Sequence, residues 1–139
     1  MVNKPLQLII NAAWVAAYSV GVSAIDSDHR RLYQMLRRMR EAYAAEENAR
    51  CLALIKDAAA AILAHFAHEE ALFAGGRYPG AEGHVAKHAI LAQRVRAISR
   101  AAQGPTVARC ALADLIDGLA VVVMTDHITL DLELRPFLA

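Results

Sequence analysis

The residues of this chain best suited to chemistry are histidines and a carboxylate grouped in two short stretches. HFAHEE at residues 65–70 contains His65 and Glu69, and HVAKH at residues 84–88 contains His84 and His88. The members of each pair are four residues apart, so on a helix both side chains lie on one face, one turn apart. The two pairs therefore predict a metal site between two helices.

Two further histidines, His29 and His127, lie on the apolar stripes of two other predicted helices. In an antiparallel bundle the starts of the first and third helices share one end with the ends of the second and fourth. At a rise of about 1.5 Å per residue, all five histidines and Glu69 fall at similar heights in that bundle. One histidine on an apolar face is usually a core residue, but five buried imidazoles cannot satisfy one another's hydrogen bonds. We therefore expect a metal centre.

The elements that must position these residues are helical. The chain has 139 residues, 57% of them hydrophobic, with only 7 glycines and 4 prolines, which is typical of an all-α protein. Apolar stripes predict helices at about 27–46, 49–74, 81–102 and 106–134, after an extended N-terminal arm (residues 1–25). Short connections favour an up-down-up-down antiparallel four-helix bundle, in one domain spanning residues 1–139.

Composition argues against several partners. Fifteen basic and fourteen acidic residues leave a net charge of +1, so neither a nucleic-acid nor an anionic-membrane partner is expected. The apolar stretch at residues 6–17 is too short to span a bilayer and lacks the pattern of a signal peptide. The two cysteines, Cys51 and Cys110, show no CxxC spacing, which suits a reducing cytoplasm.

The ligand types narrow the metal without selecting one. The set contains no cysteine, which excludes a tetrahedral thiolate zinc site, and no HExxH motif, which excludes the common zinc-peptidase arrangement. No glutamate lies three residues before a histidine, unlike the pattern of the di-iron carboxylate enzymes. Imidazole suits iron, copper, zinc and nickel. Five imidazoles exceed what one metal ion with an open position can take, so two metal ions bridged by carboxylate are expected.

Over nearly its whole length the chain resembles the bacterial hemerythrins. Five features occur in order: Trp14, VGVSAIDSDH, HFAHEE, YPGAEGHVAKH and HITLDLELRPFL. The resemblance implies a four-helix bundle holding two iron ions with a hydroxo or oxo bridge, a centre that binds dioxygen reversibly. Carried over residue by residue, it assigns His84, His88 and His127 to one iron and His29 and His65 to the other, with Glu69 as a bridge.

The sequence departs from the family at the second bridging carboxylate, an aspartate five residues after the last histidine. Here position 132 is Leu, and Asp131 follows His127 by four residues, as if one residue were deleted. In a regular helix a step of five turns about 140° and a step of four about 40°, so the two aim the carboxylate differently. We expect Asp131 to be a metal ligand. It would bridge the two metal ions if the last helical turn loosens or tightens, and Glu133 is expected to face solvent.

Counting ligands leaves one coordination position open for dioxygen, on the iron with two histidines. The residues expected to line an apolar pocket around it are Leu32, Phe66, Val123 and Met124. The first functional hypothesis is a carrier, store or sensor of dioxygen that is not an enzyme and serves an unidentified oxygen-using partner. The alternative is a di-iron enzyme reducing peroxide or nitric oxide at the same centre. A metal store is a weaker third.

Overall fold

The chain forms four α-helices in the computed structural model, which describes residues 18–75, 78–104 and 106–137. The helices are α1 (Ser23–Ala44), α2 (Asn48–Phe73), α3 (Ala81–Ala101) and α4 (Arg109–Met124). A π-helical segment (Thr125–Leu130) and a 3-10 helix (Asp131–Phe137) continue α4. The described residues contain no strand, which confirms the all-α four-helix class. The up-down-up-down order of the helices stays a prediction.

One hydrophobic core joins the four helices. Met39 of α1, Ile55 of α2, Val95 of α3 and Leu119 of α4 are each 0% exposed and belong to the same cluster. Burying an aliphatic side chain of this size contributes about 1.5–3 kcal/mol to stability, so contacts between these side chains hold the four helices together. The core adjoins the metal-type residues.

The first helix begins earlier than the sequence predicted. The backbone N–H of Asp26 donates to Val22 O (2.9 Å), so the first helical turn is already formed where an extended arm was expected. The carboxylate of Asp26 accepts hydrogen bonds from Ser19 Oγ (2.5 Å) and Val20 N (2.8 Å), which ties the preceding segment to the helix. Gly21, with φ +86°, makes the turn between them. Residues 1–17 of the predicted arm lie outside the described residues.

The last helix differs most from its predicted range of 106–134. It begins at Arg109, and its α-helical geometry ends at Met124. The next six residues have wider π-helical turns, and Pro136 lies in the tighter 3-10 helix that follows. By contrast, α2 and α3 begin and end within one residue of the predicted positions.

Helix α2 is long and apolar enough, by length and composition alone, to cross a membrane. Core helices of helical bundles share this composition. Nine residues of α2 are buried in the bundle, and they include the ionisable side chains of His65 and Glu69. The burial of these polar groups indicates that α2 is a core helix with part of its surface facing a polar site.

Candidate metal centre

Seven buried histidine and carboxylate side chains meet at one end of the bundle, from three of the helices and the segment that follows α4. Each is at most 3% exposed. They are His29 from α1, His65 and Glu69 from α2, His84 and His88 from α3, and Asp126 and Asp131 from the segment after α4.

These seven side chains form two overlapping groups of metal-ligand type. Within each group, one ligand atom per residue lies within 4.8 Å of all the others. One group contains His29 and His65, the other contains His84 and His88, and both share Glu69, Asp126 and Asp131. The arrangement is two histidine pairs with three carboxylates between them.

Asp131 reaches both histidine pairs. Its Oδ2 lies 2.8 Å from His29 Nε2, and its Oδ1 lies 3.0 Å from His84 Nε2. Glu69 behaves in the same way, because its Oε1 contacts His65 Nε2 and its Oε2 lies 3.3 Å from His84 Nε2. Each carboxylate therefore places one oxygen toward each pair, which is the geometry that a bridging ligand needs.

Asp126 is a third carboxylate of this kind, and it was not among the ligands predicted from the sequence. Its Oδ1 lies 2.7 Å from His88 Nε2, and its Oδ2 lies 3.0 Å from His65 Nε2. A signal for it was present in the sequence. The family pattern has a ligand five residues before the last aspartate, and counting five back from Asp131 gives Asp126 and not His127.

The π-helical segment explains how Asp126 and Asp131 come to the same side. The backbone N–H of Asp131 donates to the carbonyl of Asp126, five residues back. An α-helix bonds residues four apart, so the π-turn holds one more residue and brings side chains five apart close to one face. A loosened last turn is one of the two conditions under which Asp131 was expected to bridge the metal ions. Glu133, which was expected to face solvent, is exposed.

The structure does not bring His127 to the cluster, although the sequence analysis grouped it with His84 and His88. Its Nε2–H donates to the Tyr18 carbonyl (2.6 Å), and its Nδ1 accepts from the Tyr33 hydroxyl (2.6 Å). The His127 ring stacks on the His29 ring with centroids 3.9 Å apart. His127 is thus buried beside the centre, one residue of helical rotation away from the face that Asp126 occupies.

Outer carboxylates orient two of the histidines. His65 Nδ1–H donates to Asp28 Oδ2 (2.9 Å), and His88 Nδ1–H donates to Glu70 Oε1 (3.4 Å). Metal-binding histidines usually donate their second ring N–H to such a partner, which fixes the other nitrogen toward the metal. The His68 side chain is 63% exposed and also donates to Asp28 (2.8 Å).

Three of the four residues predicted to line a pocket are buried in the core. Phe66 stacks on the His88 ring, with centroids 4.3 Å apart and planes 17° apart. Leu32 and Val123 are 4% and 3% exposed. Met124 is half-buried and packs against the edge of the core.

Burial and crowding shift the protonation of the cluster. Burial raises the pKa of Asp131 to about 9, helped by Glu69, and burial raises the pKa of Glu69 to about 7. Burial and the neighbouring His127 and His65 lower the pKa of His29 to about 2. Burial opposes protonation of His84, but Asp126 and Asp131 outweigh it and raise its pKa to about 9. Protons shared between the carboxylates and imidazoles balance part of the charge of this cluster, as bound cations would.

The donor set fits a metal ion. Within the described parts of the chain, both Glu69 oxygens, His84 Nε2 and Asp131 Oδ1 are buried and lie close to other ligand-type atoms without forming a hydrogen bond to them. Leaving such groups unpaired is costly, and three buried carboxylates without cations would repel one another. Imidazole nitrogens and carboxylate oxygens on facing helices are the ligands of non-haem iron centres in bundles. The residues present could therefore hold such a centre.

Comparison with known proteins agrees with this chemistry. The sequence model of the Hemerythrin HHE cation binding domain matches residues 20–131. Proteins named Bacteriohemerythrin from Pseudomonas aeruginosa and Stenotrophomonas maltophilia are 28% and 29% identical to the chain over 82 residues. Those residues are 59% of this chain and 54% of each relative, so the match spans about half the length of these curated relatives.

No solved structure matches the chain. The family match covers all seven clustered side chains and confirms the resemblance seen in the sequence motifs. A non-haem iron centre is what this domain implies, and the two groups of ligand-type residues are able to hold metal. The chain belongs to the family of the hemerythrin HHE cation-binding domain.

Proposed function

We propose that this protein holds two iron ions and binds dioxygen reversibly, as a carrier, store or sensor. The observation that carries the proposal is the pair of ligand groups that share the same carboxylates. A single mononuclear site would not use four histidines and bridging carboxylates while keeping a position open for a ligand. The names of the bacteriohemerythrin relatives and the family itself support the same function.

His29 and His65 would hold one iron, and His84 and His88 the other. Glu69 and Asp131 would lie between them, since each directs one oxygen toward each histidine pair. When bound, the iron pair would supply the reversible two-electron chemistry on which dioxygen binding depends. The proposal gives each iron two histidines, whereas the family resemblance assigned three histidines to one iron and two to the other.

The chain's own residues orient the ligands and exclude water. Asp28 and Glu70 hold His65 and His88 from behind, outside the centre. Phe66 covers one face of His88, and Leu32 and Val123 add buried apolar surface. These apolar side chains limit the access of water and protons to the centre.

Metal analysis followed by air exposure tests this proposal. Protein reconstituted with ferrous iron without oxygen should contain two irons per chain. On exposure to air it should develop an absorption band that disappears when oxygen is removed. A content of one metal, or full occupancy by zinc after purification without oxygen, would contradict the two-iron centre. A band that oxygen removal does not reverse would contradict reversible binding.

The second candidate is a di-iron enzyme that reduces peroxide or nitric oxide. The third carboxylate, from Asp126, favours it, because an additional negative ligand stabilises the higher charge of ferric iron. Steady consumption of added peroxide or nitric oxide with a reductant, at a rate proportional to iron content, would support this function. If the protein consumes one equivalent of oxidant and then stops, it does not turn over, which supports the oxygen-binding function.

The cellular setting belongs to the same proposal. The two cysteines are free thiols, Cys51 buried and Cys110 exposed, which suits a reducing cytoplasm. The near-neutral charge of +1 supports a protein that works on a small molecule and does not bind nucleic acid or an anionic membrane. An oxygen-using protein partner belongs to the same hypothesis.

A further inference from the structure

We propose that Asp126, and not His127, is the ligand that the end of the last helix gives to the metal centre. The centre would then contain four imidazoles and three carboxylates, in place of the five imidazoles and two carboxylates that the family resemblance implies. This inference rests on the proposed iron centre, and it concerns residues that differ in register from the family motif.

The position of Asp126 is that of a ligand. Its side chain is 2% exposed and lies between the two histidine pairs. One oxygen is 2.7 Å from His88 Nε2 and the other 3.0 Å from His65 Nε2. These two histidines come from different helices and different ligand groups. A carboxylate aimed at both groups is placed to bind either metal or to bridge them.

The backbone between Asp126 and Asp131 supports the same assignment. The family motif separates its last two ligands by five residues, and Asp126 and Asp131 keep that separation. The π-turn bonds these two residues through the Asp131 N–H and the Asp126 carbonyl, and both side chains enter the cluster. When Asp126 is aligned with the last histidine of the family motif, the chain has no deletion, and an aspartate replaces that histidine.

His127 is engaged elsewhere. A neutral imidazole has one N–H and one lone pair, and both are used, toward the Tyr18 carbonyl and the Tyr33 hydroxyl. To bind a metal, His127 would have to break a hydrogen bond of 2.6 Å at either nitrogen. Its ring stacks on the His29 ring, with centroids 3.9 Å apart.

The exchange changes the charge of the centre. A third carboxylate adds one negative charge in a buried site, where Coulomb interactions are weakly screened. It stabilises ferric over ferrous iron relative to a centre with a fifth neutral imidazole. It also increases the preference of the site for oxygen-loving ions such as Mn²⁺.

Two matched substitutions test the assignment. Asp126→Asn removes the charge and keeps the shape, and His127→Gln removes the imidazole and keeps hydrogen-bonding capacity. Asp114→Asn, at an exposed position of α4, is the control for charge alone. Iron per chain is measured after reconstitution without oxygen, and the rise in melting temperature on adding Mn²⁺ is measured in parallel.

We expect Asp126→Asn to lose at least one iron per chain and to bind Mn²⁺ at least about tenfold more weakly. His127→Gln and Asp114→Asn should keep the wild-type iron content and the wild-type rise in melting temperature. Loss of metal by His127→Gln together with retention by Asp126→Asn would overturn the assignment. Equal loss in both variants would also overturn it, since His127 would then be needed as a ligand.

Folding and the parent proposal are separated by two further measurements. If Asp126→Asn does not fold by circular dichroism, His127→Ala decides, because it must keep both metals if Asp126 is the ligand. If the wild-type chain takes up no iron, the proposed function fails. The Mn²⁺ titrations of the same variants then still show which of the two residues binds a divalent ion.

Discussion

The Oδ2 atom of Asp28 lies 2.9 Å from Nδ1 of His65 and accepts its ring N–H from behind the cluster. Asp28 is one residue before His29 on α1, so a single turn of helix supplies both a candidate ligand and the orienting group for a ligand on α2. The contact leaves His65 Nε2 toward Asp126 and Glu69. It couples the position of α1 to the geometry of the metal centre.

Asp28→Asn should weaken metal binding. Orienting partners of this kind typically contribute 10–100-fold in metal affinity, so we expect a loss of at least about tenfold in Mn²⁺ or Fe²⁺ affinity. Titration followed by thermal shift measures the effect. Asp57→Asn, at an exposed position of α2, removes the same charge and should not change affinity. Unchanged binding in both variants would show that Asp28 does not orient His65.

His65→Ala and His68→Ala should behave differently although they lie three residues apart. His65 is 1% exposed and contacts three clustered carboxylates, whereas the His68 side chain is 63% exposed and contacts Asp28 alone among the described carboxylates. We expect His65→Ala to lose at least one iron per chain by metal analysis and His68→Ala to keep both. Equal losses would mean that His68 supports the centre as strongly as His65.

The metal-free protein should lose stability as pH rises from 7 to 9. Asp131 and His84 have pKa values raised to about 9, so in this window the folded chain keeps protons that the unfolded chain releases. Each retained proton costs about 1.4 kcal/mol per pH unit until the folded pKa is passed. His29 and Asp126 have lowered pKa values and act in the opposite direction only at lower pH.

Urea unfolding of chelator-treated protein at pH 7, 8 and 9 measures this dependence. The iron-loaded protein is the comparison, and its stability should change little across the same window, because metal ions replace the retained protons. A metal-free protein that becomes more stable toward pH 9 would contradict the charge distribution described for the cluster.

Phe66→Ala should lower stability and speed oxidation of the iron centre in air. The Phe66 ring stacks on His88 and is 4% exposed, so its removal leaves a cavity beside the ligands. Such truncations cost about 3–5 kcal/mol, and the cavity would admit water to the centre. Urea unfolding and the decay of the ferrous form in air measure the two effects.

Leu112→Ala is the matched control for Phe66→Ala. Leu112 is 1% exposed and precedes Asp126 by fourteen residues, about 20 Å along the helix. It should cost a similar stability without changing the oxidation rate. If both variants oxidise at the same increased rate, general loosening of the bundle would explain the effect and Phe66 would have no special role.

The sequence alone determined which residues could form the centre on α2 and α3. A spacing of four on a helix sets a common face whatever the helix packs against, so His65 with Glu69 and His84 with His88 could be assigned from their positions. The apolar stripes of the four helices placed those faces toward the core in the same way. The bounds of α2 and α3 followed from the same periodicity.

Only the tertiary structure decided what the last helix contributes. Adjacent residues on a helix point about 100° apart, so Asp126 and His127 cannot both face the cluster. The choice depended on a π-turn, whose wider hydrogen bonding leaves no pattern in apolar periodicity, and on Tyr18 and Tyr33, which hold His127 aside. Because these contacts join residues about a hundred positions apart in sequence, local spacing could not predict them.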